Sequence, residues 1–476
     1  MLRAQKMAKN YDIIIVGAGP AGLYAAYNYI ESGKKGKVLI IDKGHSLANR
    51  KCPITEGKVP SCIKCKTCSI MSGEGGAGAY SDGKFNITNE FGGTLWEKIG
   101  KDEALHLMYE VDLINEKLTG ATSSAYPKLF RTDPDLKKNC TRKGLHLLSA
   151  EVRHLGTDLN YEIMSVLHNH LEKNGIEFMF DTDVTDVLLD NPPQDEYKFK
   201  IYTNKSEEIL AAHNVILAVG RSGAHWLENY CKAHNILTES NRVDIGVRVE
   251  LPAEVFSDIT DKVYESKIVY TTEKYQDNVR TFCMNPYGFV VNENTNGIVT
   301  VNGHSNSENG KKSDNTNFAL LVSQHFTEPF NNSNEYGESI VRLSNMLGGG
   351  VIIQRLGDLE RGQRSTADRI ARATIRPTLK ACAGDLSLVL PKRILDDIVE
   401  MLHALDKIAP GTANDDTLLY GVEVKFYNTE VKVDENLEVS TKKGLYIIGD
   451  GSGITHSLSH AAASGLYVMN KILENI

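Results

Sequence analysis

A glycine-rich turn set between an apolar strand and a helix constrains this chain more than any other feature. Tyr11-Asp12-Ile13-Ile14-Ile15-Val16 runs directly into Gly17-Ala18-Gly19-Pro20-Ala21-Gly22, the spacing and context of a dinucleotide cradle. Gly17 permits the tight turn, Gly19 lets the backbone approach a pyrophosphate, and Gly22 allows close helix–strand packing. The helix that follows then turns its free N–H groups and positive dipole end toward the phosphates. A second strand, Lys37-Val38-Leu39-Ile40-Ile41, ends at Asp42, 20 residues past Gly22. There a carboxylate can accept hydrogen bonds from a ribose 2′-OH and disfavours a 2′-phosphate.

Near the C-terminus Gly444-Leu445-Tyr446-Ile447-Ile448-Gly449-Asp450 reads as a short buried strand ending in Gly-Asp, and Gly451-Ser452-Gly453 opens a further helix through Ala461-Ala462-Ala463-Ser464-Gly465. With Asn214-Val215-Ile216-Leu217-Ala218-Val219-Gly220, these segments resemble FAD-dependent oxidoreductases of the glutathione-reductase-like class. The resemblance implies FAD as cofactor, with Asp450 at its ribityl or pyrophosphate part and a backbone amide near Val184 at its adenine. Its implied cofactor shell is Gly17, Gly19, Pro20, Ala21, Gly22, Asp42, Lys43, Gly75, Gly76, Ala77, Ser81, Val184, Gly220, Gly449, Asp450 and Ser459.

Two other glycine clusters fail the test of context. Gly73-Glu74-Gly75-Gly76-Ala77-Gly78 has no apolar strand before it, and Ser81-Asp82-Gly83 breaks any helix after it. Gly348-Gly349-Gly350 precedes the apolar run Val351-Ile352-Ile353 where a fingerprint would follow one. No second dinucleotide motif for NAD(P)H is present, so reductant is expected as external NAD(P)H or from a redox protein.

A chain of 476 residues is expected to form two domains. Its net charge of −8 gives no global attraction to nucleic acid or anionic membrane, and the basic stretch from Lys34 to Lys66 reads as solvated surface. No run approaches the roughly 18 apolar residues of a membrane span, and the N-terminus lacks the apolar core of a signal peptide. A soluble, cytoplasmic protein is expected.

The cofactor motifs lie at both ends and the middle of the chain, so the fold class expected is α/β: a discontinuous Rossmann-like FAD-binding domain with an inserted α+β substrate-side domain. The boundaries are residues 10–223 and 411–476 for the first, with a Cys-rich loop at 51–70, and 224–410 for the insertion. Leu159, Ile163, Val166, Leu167 and Leu171 mark a helix over 158–173, closed by Gly175. Short strands are expected at 176–180, 184–189, 198–202 and 209–211, joined by turns at Asn191-Pro192-Pro193 and Asn204-Lys205-Ser206.

Cys52, Cys62, Cys65 and Cys68 form C-x9-C-x2-C-x2-C in a polar, lysine-rich loop. Such spacing suits a tetrahedral zinc, a [4Fe-4S] cluster or a redox-active dithiol, with ordinary thiols as the plain alternative. Cys140, Cys231, Cys283 and Cys382 read as apolar packing. In related flavoproteins the glycine-rich segment after this loop passes close to the flavin ring, so a cluster here is an expected electron relay.

Val243-Asp244-Ile245-Gly246-Val247-Arg248-Val249-Glu250, Gln354-Arg355-Leu356-Gly357-Asp358-Leu359 and Thr417-Leu418-Leu419-Tyr420-Gly421-Val422-Glu423 resemble a bacterial family of NAD(FAD)-utilising dehydrogenases. His456 and His460, four apart and expected on one helix face, suit either packing near the flavin or proton donation. Arg355, Arg361 and Arg364 suit either a solvated surface or a site for a substrate carboxylate, closed by the inserted domain. Tyr287, His304 and Tyr420 are weaker candidates. The function expected is an FAD-dependent dehydrogenase or reductase acting on an organic, anionic small molecule. The alternative is a non-catalytic flavin or cluster redox sensor or electron-transfer protein.

Overall fold

The computed structural model describes residues 9–53, 55–59, 63, 65–120, 126–189, 198–205, 209–263, 266–295, 297–304 and 312–475. They form two compact units, Met1–Leu129, Ala150–Glu239 and Asn428–Ile476 on one hand, and Phe130–Ser149 with Ser240–Tyr427 on the other. This moves the expected boundaries. Residues 224–239 stay with the first unit because Leu227, Tyr230, Cys231 and Ile236 of that stretch are buried in its core. Residues 411–427 pass to the second because Leu418–Phe426 pairs with Val243–Pro252 inside its sheet, and His146–Leu147 supplies that sheet's edge.

The first unit is built on β1 (Lys9–Val16), α1 (Pro20–Glu31) and β2 (Val38–Ile41). Ile13, Ile14 and Ile15 are all buried, as a strand covered on both faces requires. In the sheet Glu177–Met179, β2, β1 and Leu210–Leu217 run parallel in that order. The stretch expected as two strands at 209–211 and 214–220 is one strand, Leu210–Leu217. Its first half pairs antiparallel with Phe199–Thr203, and its second half parallel with Leu445–Ile447. The expected helix appears as Gly156–Lys173. The turn at Asn191-Pro192-Pro193 lies outside the described residues. Packing of α1 against the Leu458–Glu474 helix needs small residues: a Cβ on Gly465 would sit 3.0 Å from Ala25 N.

The second unit centres on an eight-stranded sheet with Val243–Pro252 in its middle. Val243, Ile245, Val247, Val249 and Leu251 face an apolar core with Phe256, Phe318, Val341, Ile398 and Leu402. By the two-residue period of a strand, Asp244, Gly246, Arg248 and Glu250 face the other way. Every pairing in this sheet is antiparallel except Ile352–Arg355 with Cys382–Ala383, so it is not a second dinucleotide-binding sheet. Among the described residues no helix is long and apolar enough to cross a membrane.

Candidate functional site

The three glycines of the cradle separate by cause. Gly17 has φ +114°, and a Cβ there would sit 2.8 Å from Ala218 C. A Cβ on Gly22 would strike Gly17 O and lie 3.1 Å from Ile15 Cγ2. Both positions are therefore glycine by protein packing alone. Gly19 is different: its φ is −78°, open to any residue, and the atom nearest its would-be Cβ is Gly76 Cα at 3.9 Å. Nothing in the protein requires glycine there, and the space before the helix is open to a ligand. Gly19 caps α1 without a side-chain hydrogen bond, and no acid occupies the first turn, which leaves N–H donors and the dipole for an anion.

Other sequence-predicted residues gather around this turn. Gly75 N donates to Ala18 O at 2.7 Å, and Gly75 and Gly76 both adopt left-handed backbone, at φ +75° and +58°. The short Gly76–Tyr80 helix includes Ala77, and Gly78 lies against Pro20. Ser81 Oγ is spent locally, donating to Gly78 O at 2.7 Å. A Cβ on Gly449 would touch Ala21 Cβ at 3.4 Å, so the Gly-Asp turn joins the same place. Lys43 Nζ donates to Ser222 O at 2.7 Å, two residues past Gly220. Val184 is buried at the start of its strand, and Thr182 N donates to Asp42 O at 3.0 Å.

Asp42 does more than the spacing suggested. Its Oδ2 accepts from Ala18 N at 2.9 Å and its Oδ1 from Gly44 N at 2.8 Å, so the carboxylate braces the glycine turn itself. Sequence reasoning also missed Arg50 and Glu74. Arg50, buried, donates to Ser69 O, Ile70 O and Gly76 O at 2.8, 2.8 and 2.7 Å, and to Glu74 O, fixing the glycine-rich segment against the cradle. Buried Glu74 accepts from Leu47 N at 2.8 Å and pairs with His168. The signal for Arg50 was weak, since its carbonyl partners carry no sequence code.

The Glu74 hydrogen bond raises the pKa of His168 above the ordinary histidine value, against the opposing pull of burial. A raised histidine stabilises fully below its unfolded pKa, and that contribution is lost as pH rises through the folded one. Folding stability, followed by chemical denaturation from about pH 6 to about pH 9, is therefore expected to fall as pH rises. Glu74→Gln should flatten that step; an unchanged profile in the variant would mean that the pair does not carry it.

His456 and His460 do not share a helix face. The helix begins at Leu458 because Ser457 caps it, accepting from His460 N at 3.3 Å, with His460 Nδ1 2.7 Å from the same hydroxyl. His460 is fully buried, and burial pulls its pKa down to about 4, so at neutral pH it is the neutral imidazole and lacks the acidic proton of the imidazolium. His456, before the helix, lies with Nδ1 3.2 Å from Asp450 Oδ1, while Arg221 Nε donates to Asp450 Oδ2 at 3.0 Å. The Ser459 hydroxyl is enclosed with no partner among the described residues.

Arg355 is not an open anion site. It lies in the second unit, where Nε donates to Asp416 Oδ1 at 2.9 Å and Nη2 at 2.5 Å. Arg361 pairs with Asp415 at 3.0 Å, and Arg364 is exposed. These acids, some sixty residues away in sequence, neutralise Arg355 and Arg361. The metal expectation finds no support among the described residues. Cys62 lies outside the described residues, Cys52 is half-buried, Cys65 and Cys68 are exposed, and among the described residues no group of three or more His, Cys, Asp or Glu could hold a metal.

Two family models match the chain. One described as "FAD binding domain" matches residues 12–49, and one described as "FAD-dependent protein, C-terminal domain-like" matches residues 242–426. Fold, cradle and the first of these models agree on an α/β FAD-binding domain. No curated protein matches the chain. Similar solved structures include glycine oxidase from Geobacillus kaustophilus, at 12% identity over 98% of this chain and 95% of that one with a TM-score of 0.40. Another is L-alpha-glycerophosphate oxidase from Mycoplasma pneumoniae, at 11% identity over 98% and 95% with a TM-score of 0.38. A third is L-proline dehydrogenase from P. horikoshii, at 13% over 98% and 95% with a TM-score of 0.37.

Proposed function

We propose that this protein is a dehydrogenase or reductase of the glutathione-reductase-like kind that exchanges a hydride between FAD and a small organic substrate, with electrons passed to or from external NAD(P)H or a redox protein. The observation that carries the cofactor end of this reading is Gly19, a glycine that packing does not require, set at an uncapped helix N-terminus. FAD, when bound, supplies a ring that takes up or releases a hydride. The chain's own part is to hold and orient it. The first N–H groups of α1 receive the diphosphate, and Asp42 keeps the turn shaped for it through Ala18 N. Asp450, held between Arg221 and His456, presents its carboxylate at the Gly-Asp turn, where ribityl hydroxyls can donate to it.

Denaturing the purified protein should release FAD, near one per chain, and a screen of small-molecule donors and acceptors should find one that changes the flavin spectrum under anaerobic conditions. Protein isolated without flavin that also fails to take up added FAD would overturn the reading.

A further inference from the structure

Three acids of one helix in the second unit meet the same hairpin, and only two of them are met as anions should be. The helix is Lys392–Asp406, and the hairpin joins Ile268–Thr271 to Asn278–Asn285. Asp396 accepts from Lys274 Nζ at 2.7 Å and Tyr275 OH at 3.0 Å, and from Lys392 Nζ of its own helix at 2.8 Å. Glu400 accepts from Tyr270 OH at 3.0 Å and from Glu273 N. Asp397, next to Asp396, is 0% exposed, and Thr272 Oγ1 donates to its Oδ1 at 2.8 Å. Among the described residues no donor reaches its Oδ2. The other side chain within hydrogen-bonding reach of this carboxyl is a second acid, Asp277. We propose that Asp397 and Asp277 share one proton, which makes the contact of hairpin and helix a pH-sensitive clasp, closed in acid and loosened toward neutral pH.

Asp277 is the member of the pair held as an anion. Arg393 grips it in a fork, Nε to Oδ2 at 2.5 Å and Nη2 to Oδ1 at 2.8 Å, and lowers its pKa. Asp277 N also donates to Thr272 Oγ1 at 3.2 Å, so both acids close on one turn. Asp397 has no such fork. An enclosed carboxylate with one hydroxyl donor and a second carboxylate beside it is costly. Protonated, the same group donates to Asp277: an oxygen that lacked a donor becomes one, and the repulsion is removed. Burial, and after it Asp277, hold the Asp397 pKa up at about 6 against the pull of Thr272 and Arg393. The strands packed beneath the helix bring apolar side chains to it, Val279, Phe318 and Leu320 among them, so the charges that face Asp397 are Asp277 and Arg393. A carboxyl whose folded pKa is raised stabilises in full below the ordinary carboxylate range, and that contribution is lost as pH rises through about 6. Ile268–Thr271 pairs with His146–Leu147 at the edge of the sheet, so loosening the clasp acts on that edge.

The test is hydrogen exchange read by mass spectrometry on the full-length, FAD-loaded protein at about pH 5 and about pH 8, with rates divided by their intrinsic values at each pH. Residues 268–285 should be better protected at the lower pH. Asp397→Asn keeps the side-chain shape and donates permanently to Asp277. It should match wild type at the lower pH and slow exchange of this hairpin about tenfold or more at the higher one. Asp277→Asn, which gives an ionised Asp397 an amide donor, should also abolish the pH step, and it decides the matter if Asp397→Asn does not fold. Asp396→Asn should keep the step, because Lys274 and Lys392, against burial, bring the Asp396 pKa down to about 2 and it stays ionised throughout. A wild-type hairpin equally protected at both pH values would overturn the clasp. So would a step that survives in Asp397→Asn or Asp277→Asn, or one that Asp396→Asn also removes.

Discussion

Gly19→Val is expected to yield a folded protein that does not retain FAD. The substitution puts two methyl groups into the space in front of α1, where the diphosphate must approach the backbone within hydrogen-bonding distance. The protein itself has room for the Cβ, since its nearest atom is 3.9 Å away, and φ −78° suits a branched residue. Replacing glycine at a helix cap costs about 1 kcal/mol, so unfolding should shift little. FAD affinity should fall by at least about 100-fold, or ~2.7 kcal/mol, measured by fluorescence of flavin released on dilution. Gly22→Val is the contrast, because its side chain strikes Gly17 O: there stability and FAD should be lost together. Full FAD occupancy in Gly19→Val would remove the diphosphate from this turn.

The cradle was legible because its glycines encode backbone approach, a local property that spacing reports directly. What a side chain reaches across the fold is not local. Asp42 was placed at the end of β2, and its carboxylate also accepts from Ala18 N and Gly44 N, contacts that spacing from Gly22 does not encode. The Arg355 fork was spent on Asp416, which no window around Arg355 contains. His456 and His460 were separated by a signal that is present in sequence: Ser457, three residues before His460, is a helix cap, and it sets the helix start after His456. The boundary at 411 slid to 428 because the apolar run at 418–426 is a central strand of the second sheet, and an all-buried strand looks alike in either unit.

Glu423→Ala is expected to be the most destabilising single change in the second unit. Arg248 is 0% exposed, and its guanidinium meets Glu423 through two parallel bonds, Nε to Oε2 and Nη2 to Oε1, both 2.7 Å. Its remaining donors go to Cys283 O at 2.8 Å, Asn317 Oδ1 at 3.1 Å and Asn302 Oδ1 at 3.2 Å. Removing Glu423 leaves those neutral acceptors to hold an enclosed cation, and breaking such a pair costs about 3 to 5 kcal/mol. The reverse holds for removing both charges, since a buried pair replaced by apolar residues of similar volume is often neutral. Arg248→Met with Glu423→Leu should therefore cost less than Glu423→Ala alone, a non-additivity that marks contact between the two sites. Chemical denaturation followed by circular dichroism reads this, because both tryptophans, Trp96 and Trp226, belong to the first unit and their fluorescence reports that unit instead. A loss under about 1 kcal/mol in Glu423→Ala would mean that water or the three acceptors already carry the Arg248 charge, and the pair would then be a fixture of sheet register more than of stability.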